Sequence, residues 1–236
     1  MNDLFASEDL LAQIFSDLSR QRDGRTISLI EHGLARDEIE QLLYHVSQRA
    51  GQHQFTRRAW QDLPLSLAVV VTEIGYEYRG TGTDFWPLVE SAIKIEVPVT
   101  QRGVISDLFR DCARRFGTAR PFDDAWSSVF PHIAWPVRNA MVPREVHGSL
   151  ARLVREFLNQ TRSLSVTRAA LPGLRELARG FGSRRLESWL QDDDLALSVI
   201  GHLVSGRTGD LGMEPRFLQR LANDLRSESE TRGPRS

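Results

Sequence analysis

Val104-Ile105-Ser106-Asp107-Leu108-Phe109-Arg110-Asp111-Cys112-Ala113-Arg114-Arg115-Phe116 reads as two faces of one helix. Val104, Ile105, Leu108, Phe109, Cys112, Ala113 and Phe116 recur at offsets of one, three and four. At 3.6 residues per turn that spacing stacks all of them on one side. Ser106, Asp107, Arg110, Asp111, Arg114 and Arg115 fall on the other side, and Gly117 follows as the C′ residue that stops the helix.

The same period recurs along the chain. Ser7 reads as an N-cap before Glu8 and Asp9, with Leu10, Leu11, Ile14, Phe15 and Leu18 inward. Ser28 to His32 predicts a short helix ending at Gly33. Asp37 reads as the cap of a longer one with Ile39, Leu42, Leu43 and Val46 inward. Pro64 opens the most apolar run, Leu65 to Ile74. The β-branched Val69, Val70 and Val71 favour a strand, but the length of the run and the proline at its start predict a buried central helix. Thr83 or Asp84 caps a helix carrying Phe85, Trp86, Val89 and Ile93, and Phe122 to Phe130 predicts a short helix containing Trp126. Pro131, Pro136 and Pro143 restrict Ile133 to Met141 to short helical pieces. Pro143 then suits the first position of a long helix with Val146, Leu150, Leu153, Val154, Phe157 and Leu158 inward. Further helices are expected around Leu171–Phe181, Arg184–Leu190, Leu195–Val204 and Phe217–Leu225.

No alternating strand pattern and no Asn-Gly or Asp-Gly hairpin interrupts this series. The expectation is an all-α protein, an irregular multi-helix bundle or irregular stacked array of about ten helices. A single helical domain is expected over 1–226, with a loose sub-boundary near 159–165 and a frayed polar tail over 227–236.

Composition narrows the function classes. With 236 residues, 41% hydrophobic and 26% charged, the chain can bury a sizeable core. The formal net charge of −1 gives no global field toward a polyanion. Charge is unevenly spread, however: residues 1–100 carry −6, residues 101–190 carry +7 and residues 191–236 carry −2. Lys94 is the only lysine among 30 basic residues; the bias covers the whole chain, which points to genome composition rather than one binding face. A single cysteine, Cys112, excludes an intramolecular disulfide and suits a reducing compartment. No 18-residue apolar run occurs, and the acidic start of the chain does not fit a signal peptide; a cytoplasmic, non-membrane protein is expected.

Tests for chemistry are mostly negative. The six histidines make no HExxH or H-x3-H pair, and no metal or cofactor is implied. Arg79-Gly80-Thr81-Gly82-Thr83-Asp84 lacks the Gly-Lys-Ser/Thr of a phosphate loop and reads as a connection between helices. No Gly-x-Ser-x-Gly elbow occurs, and Asp192-Asp193-Asp194 reads as a cap with first-turn acids. Ile27 to Arg49 has a helix-turn-helix outline, but Asp37, Glu38 and Glu40 oppose a polyanion where contacts would be made, so an ordinary αα-hairpin is expected.

Two candidate surfaces remain. Arg110, Arg114 and Arg115, with Arg144, Arg152 and Arg155 from the later helix, would line a nucleic-acid groove if their polar faces met. Pairing of Asp111 with Arg115 and of Glu156 with Arg152 at i,i+4 is the competing reading, a solvated surface. Phe85, Trp86, His132 and Trp135 would form an aromatic groove for a protein partner; the alternative is gap-filling where broken helices cross.

Gly82-Thr83-Asp84-Phe85-Trp86-Pro87, His132-Ile133-Ala134-Trp135-Pro136, Val142-Pro143, Ser188-Trp189-Leu190 and Phe217 to Leu225 carry a resemblance. The stretch from Leu65 to Leu225 resembles helical accessory regions of poorly characterised bacterial proteins found among phage-defence genes. The resemblance implies a place in a multi-protein or multi-domain system and supplies no catalytic residues. The first expectation for function is therefore a non-enzymatic interaction or scaffold module of a bacterial cytoplasmic complex with a protein partner. An accessory DNA- or RNA-binding role for residues 101–190 and an enzyme of unfamiliar type are the alternatives.

Overall fold

The computed structural model describes residues 2–22, 24–80, 84–121, 130–161, 165–205 and 213–231. Within them the protein is all-helical, and the one β feature is an isolated parallel bridge between Ile27 and Thr118. Internal packing divides the chain into two compact units, Met1–Pro143 and Arg144–Ser236. The division falls at Pro143, while the polar stretch 159–165 lies inside the second unit.

The first unit is built from α1 (Asn2–Gln21), α2 (Arg36–His53), α3 (Arg57–Trp60), α4 (Pro64–Tyr76), α5 (Phe85–Ile93), α6 (Val99–Phe116) and α7 (Pro131–Asn139), with a 3-10 turn at Leu29–Glu31. Helix α4 is its hub. Pro64 occupies the first turn, where its missing N–H costs nothing, and every residue of α4 except Glu73 is buried. It packs against α1, α2, α5, α6, α7 and the 3-10 turn. Surrounded on all sides, a helix needs no polar face, so the valine run is accommodated as helix despite its strand propensity.

Helix α6 buries Ile105, Leu108, Phe109, Cys112, Ala113 and Phe116, leaves Val104 half-buried, buries Ser106 from the expected polar face, and starts a turn earlier than the apolar stripe, directly after Pro98. Gly117 closes it at φ 72°, its N–H donating to the Ala113 carbonyl. Burial pushes the Cys112 thiol far above the ordinary thiol range. Cys112 is therefore expected to resist Ellman's reagent in native buffer and to react fully in urea; rapid native labelling would contradict this packing.

Several expected boundaries move. Helix α1 begins at Asn2, so Ser7 lies inside it rather than capping it; Leu4 extends the buried Leu11–Phe15–Leu18 stripe by about two turns. The α2 start is held by Glu38 rather than by Asp37: its carboxylate accepts from the Ala35 N–H at 2.6 Å. The prolines do not fragment 131–139, because α7 is one nine-residue helix with Pro136 inside it. A mid-helix proline forfeits a backbone bond, and here close packing offsets the loss. A Cβ added to Gly75 of α4 would stand 3.2 Å from the Pro136 carbonyl carbon and oxygen, so any larger residue would press the two helices apart by a few tenths of an ångström. The expected helix around Trp126 lies outside the described residues.

The second unit comprises α8 (Arg144–Thr161), α9 (Leu171–Arg179), α10 (Arg184–Trp189), α11 (Asp193–Ser205) and α12 (Pro215–Thr231). Its centre is α8, whose Val146, His147, Leu150, Leu153 and Phe157 are buried against the other four helices. Asp192 caps α11 as expected, its carboxylate accepting from the Leu195 N–H at 3.0 Å. Helix α12 runs to Thr231, past residue 227 where the polar tail was expected to begin.

Candidate interaction surface

The six candidate arginines are divided between the two units. Arg110, Arg114 and Arg115 stand on α6, whereas Arg144, Arg152 and Arg155 stand on α8. Most of their charge is locally compensated. Arg110 pairs with Asp107 and Arg114 with Asp111, both one turn back on α6. Arg152 pairs with Glu156 at 3.1 Å, as the i,i+4 spacing predicts, and its guanidinium lies 4.2 Å from the centre of the Phe181 ring. Arg144 stands 3.9 Å from Glu228. Arg155 is exposed and has no ion pair among the described residues. Asp111 does not take Arg115 as expected; its second oxygen receives Arg57 of α3 at 2.5 Å. Arg115 lies instead beside the Phe116 ring, 5.3 Å from its centre.

The four candidate groove residues also separate. Phe85 and Trp86 sit in the core at 0% and 6% exposure, packed edge to face at 5.3 Å. Arg102 of α6 covers the Trp86 ring at 4.8 Å. His132 and Trp135 remain half-buried on α7, so an open surface draws on these two and not on Phe85 or Trp86.

On that surface α6 and α7 interlock through offsets the sequence displays. Ser106 Oγ and His132 Nδ1 are 2.8 Å apart. Phe109 packs against Trp135 at 6.5 Å, and the Arg110 guanidinium stands 6.0 Å from the Trp135 ring centre. Partial burial lowers the His132 pKa, with the Arg110 and Arg102 charges adding to the effect against a smaller pull from Asp107. The shift favours the neutral ring over the imidazolium. Ser106 is itself buried, which leaves its hydroxyl no approach for a substrate. What the edge offers is two guanidinium groups, an indole face and an imidazole, a set suited to carboxylate and apolar contacts.

A second feature escaped the sequence reading because it joins residues about fifty positions apart. Gln61, Pro64, Asp111, Arg114 and Arg115 line a shallow pocket of about 160 Å³, and Arg57 is tied to its Asp111. Beneath this region Glu8 of α1 caps the hub helix. Its buried carboxyl accepts from the Leu65 N–H at 2.9 Å and from the Ser66 N–H and hydroxyl at 2.7 Å. Burial raises the Glu8 pKa, opposed by these hydrogen bonds and by Arg115.

Among the described residues no group of three His, Cys, Asp or Glu side chains is placed to hold a metal ion, and no helix is long and apolar enough to cross a membrane. Comparison with family models, with curated proteins and with solved structures finds no match for this chain.

Proposed function

We propose that this protein is a non-enzymatic helical interaction module. Its recognition edge runs along α6 and α7 through Arg102, Arg110, His132 and Trp135, and its partner is a protein segment bearing aliphatic and carboxylate side chains. One observation carries the reading: the half-buried Trp135 indole stands beside the Arg110 guanidinium on adjoining helices, over a filled core. Tryptophan and arginine are the side chains that most often anchor protein interfaces. The resemblance to helical regions of phage-defence proteins supports a setting in a bacterial cytoplasmic complex.

The competing reading is a nucleic-acid factor, favoured by the exposed Arg115 and Arg155, for which no ion pair is found among the described residues. The two are separated by selecting from a displayed peptide library and, in parallel, titrating labelled DNA with 5′-hydroxyl ends across a salt series. Selection is expected to enrich peptides that combine Leu or Ile with Asp or Glu. Their affinity should fall by at least about tenfold in Trp135→Ala and in Arg110→Glu. DNA binding that weakens steeply with salt, with no peptide enriched, would replace this reading by the other.

A further inference from the structure

We propose that the pocket between α3, the start of α4 and the last turns of α6 binds a phosphomonoester, the terminal phosphate of a free nucleotide or of a nucleic-acid end. The site shares no residue with the α6–α7 edge, so it stands or falls independently of the function proposed above.

Size comes first. At about 30 Å³ per water molecule, a pocket of about 160 Å³ has room for about five waters, enough to seat one phosphate group. Charge comes second. Arg57, Arg114 and Arg115 surround one carboxylate, Asp111, which leaves two positive charges against the dianion of a monoester.

Geometry is the third argument. One Asp111 oxygen holds Arg114 from the same helix and the other holds Arg57 from α3 at 2.5 Å. Asp111 is largely covered, with 17% of its side chain exposed, whereas the Arg57 and Arg114 side chains are 47% and 70% exposed. The carboxylate takes the Nη2 of each guanidinium and so holds both planar groups in place, while both side chains stay exposed. Pre-positioned guanidinium forks match phosphate oxygens and lose less entropy on binding than free arginines would. Arg115 has no ion-pair partner among the described residues, and Gln61 adds an amide donor. Glu8, whose field reaches Arg115, is buried and occupied with the α4 backbone.

The test uses two short oligonucleotides carrying a 3′ fluorophore, one 5′-phosphorylated and one 5′-hydroxyl, with adenosine monophosphate and inorganic phosphate as competitors. Anisotropy should show the phosphorylated strand binding at least about tenfold more tightly, the worth of one charge-assisted hydrogen bond. Arg115→Gln should erase that difference; the side chain is exposed, and unchanged thermal melting would confirm that the variant folds. Displacement by adenosine monophosphate would identify a free nucleotide as the source, and displacement only by phosphorylated strands a nucleic-acid end. Equal affinity for the two strands with no displacement by either competitor would overturn the proposal, as would an unchanged preference in Arg115→Gln.

Discussion

Glu31→Ala is expected to destabilise the first unit by about 3–5 kcal/mol, the cost of leaving one partner of a buried ion pair alone. Glu31 is fully buried and Arg22 nearly so. The pair is bidentate: Arg22 Nη1 donates to Glu31 Oε2 at 2.7 Å and Nη2 donates to Oε1. The Ser28 N–H also donates to Oε2 at 3.0 Å, so the same carboxylate closes the 3-10 turn that packs on α4. Truncation takes the carboxylate away from a buried guanidinium and from a backbone donor. Urea unfolding followed by circular dichroism measures the loss. Arg36→Ala, which breaks the exposed Arg36–Glu40 pair, should leave the midpoint unchanged. The double change Arg22→Met with Glu31→Met should cost much less than Glu31→Ala alone, because no charge is then left unpaired. A Glu31→Ala loss below about 1 kcal/mol would mean that water reaches the pair.

Asn139→Ala should cost about 2–4 kcal/mol, since it breaks two buried hydrogen bonds and one part-buried one at once. Its side-chain amide donates to the Ala119 carbonyl at 2.9 Å and to the Trp135 carbonyl at 3.0 Å, while its oxygen accepts from the Leu29 N–H at 3.2 Å. One residue thereby ties α7 to the 3-10 turn and to the segment after α6. Asn139→Asp has nearly the same shape but no amide donors and a buried charge, so it should be at least as damaging. The same urea titration reads both variants. An Asn139→Ala midpoint equal to wild type would show that the amide adds nothing to the backbone bridge and packing that join the three segments.

The hub helix and the α6 face were legible because long apolar periods override local ambiguity: Pro64 and the all-apolar run leave α4 little alternative to burial. Gly117 was legible as a stop because an αL position favours glycine. The devices that join segments were not. Nothing in the spacing of Arg22 and Glu31, or of Asp111 and Arg57, announces a bond between them. Asn139 looks like any polar helix end. Pro136 misled because propensity counts the lost hydrogen bond but not the close approach that Gly75 allows. Ser7 misled because its cap-like run continues a stripe that starts at Leu4. At the candidate surfaces, His132 and Trp135 were legible as local character beside a proline, but their neighbours Phe85 and Trp86 carry the same signature and are core. Sequence alone does not separate an aromatic that fills a helix crossing from one left at its rim.

Hydrogen–deuterium exchange of the full chain, with and without a selected acidic-aliphatic peptide, tests the interaction reading most directly. Slowed exchange confined to residues 102–110 and 132–139 is the expected result, and it should vanish in Trp135→Ala. Protection elsewhere with none on α6 and α7 would contradict the account and move the recognition surface to wherever the protection appears.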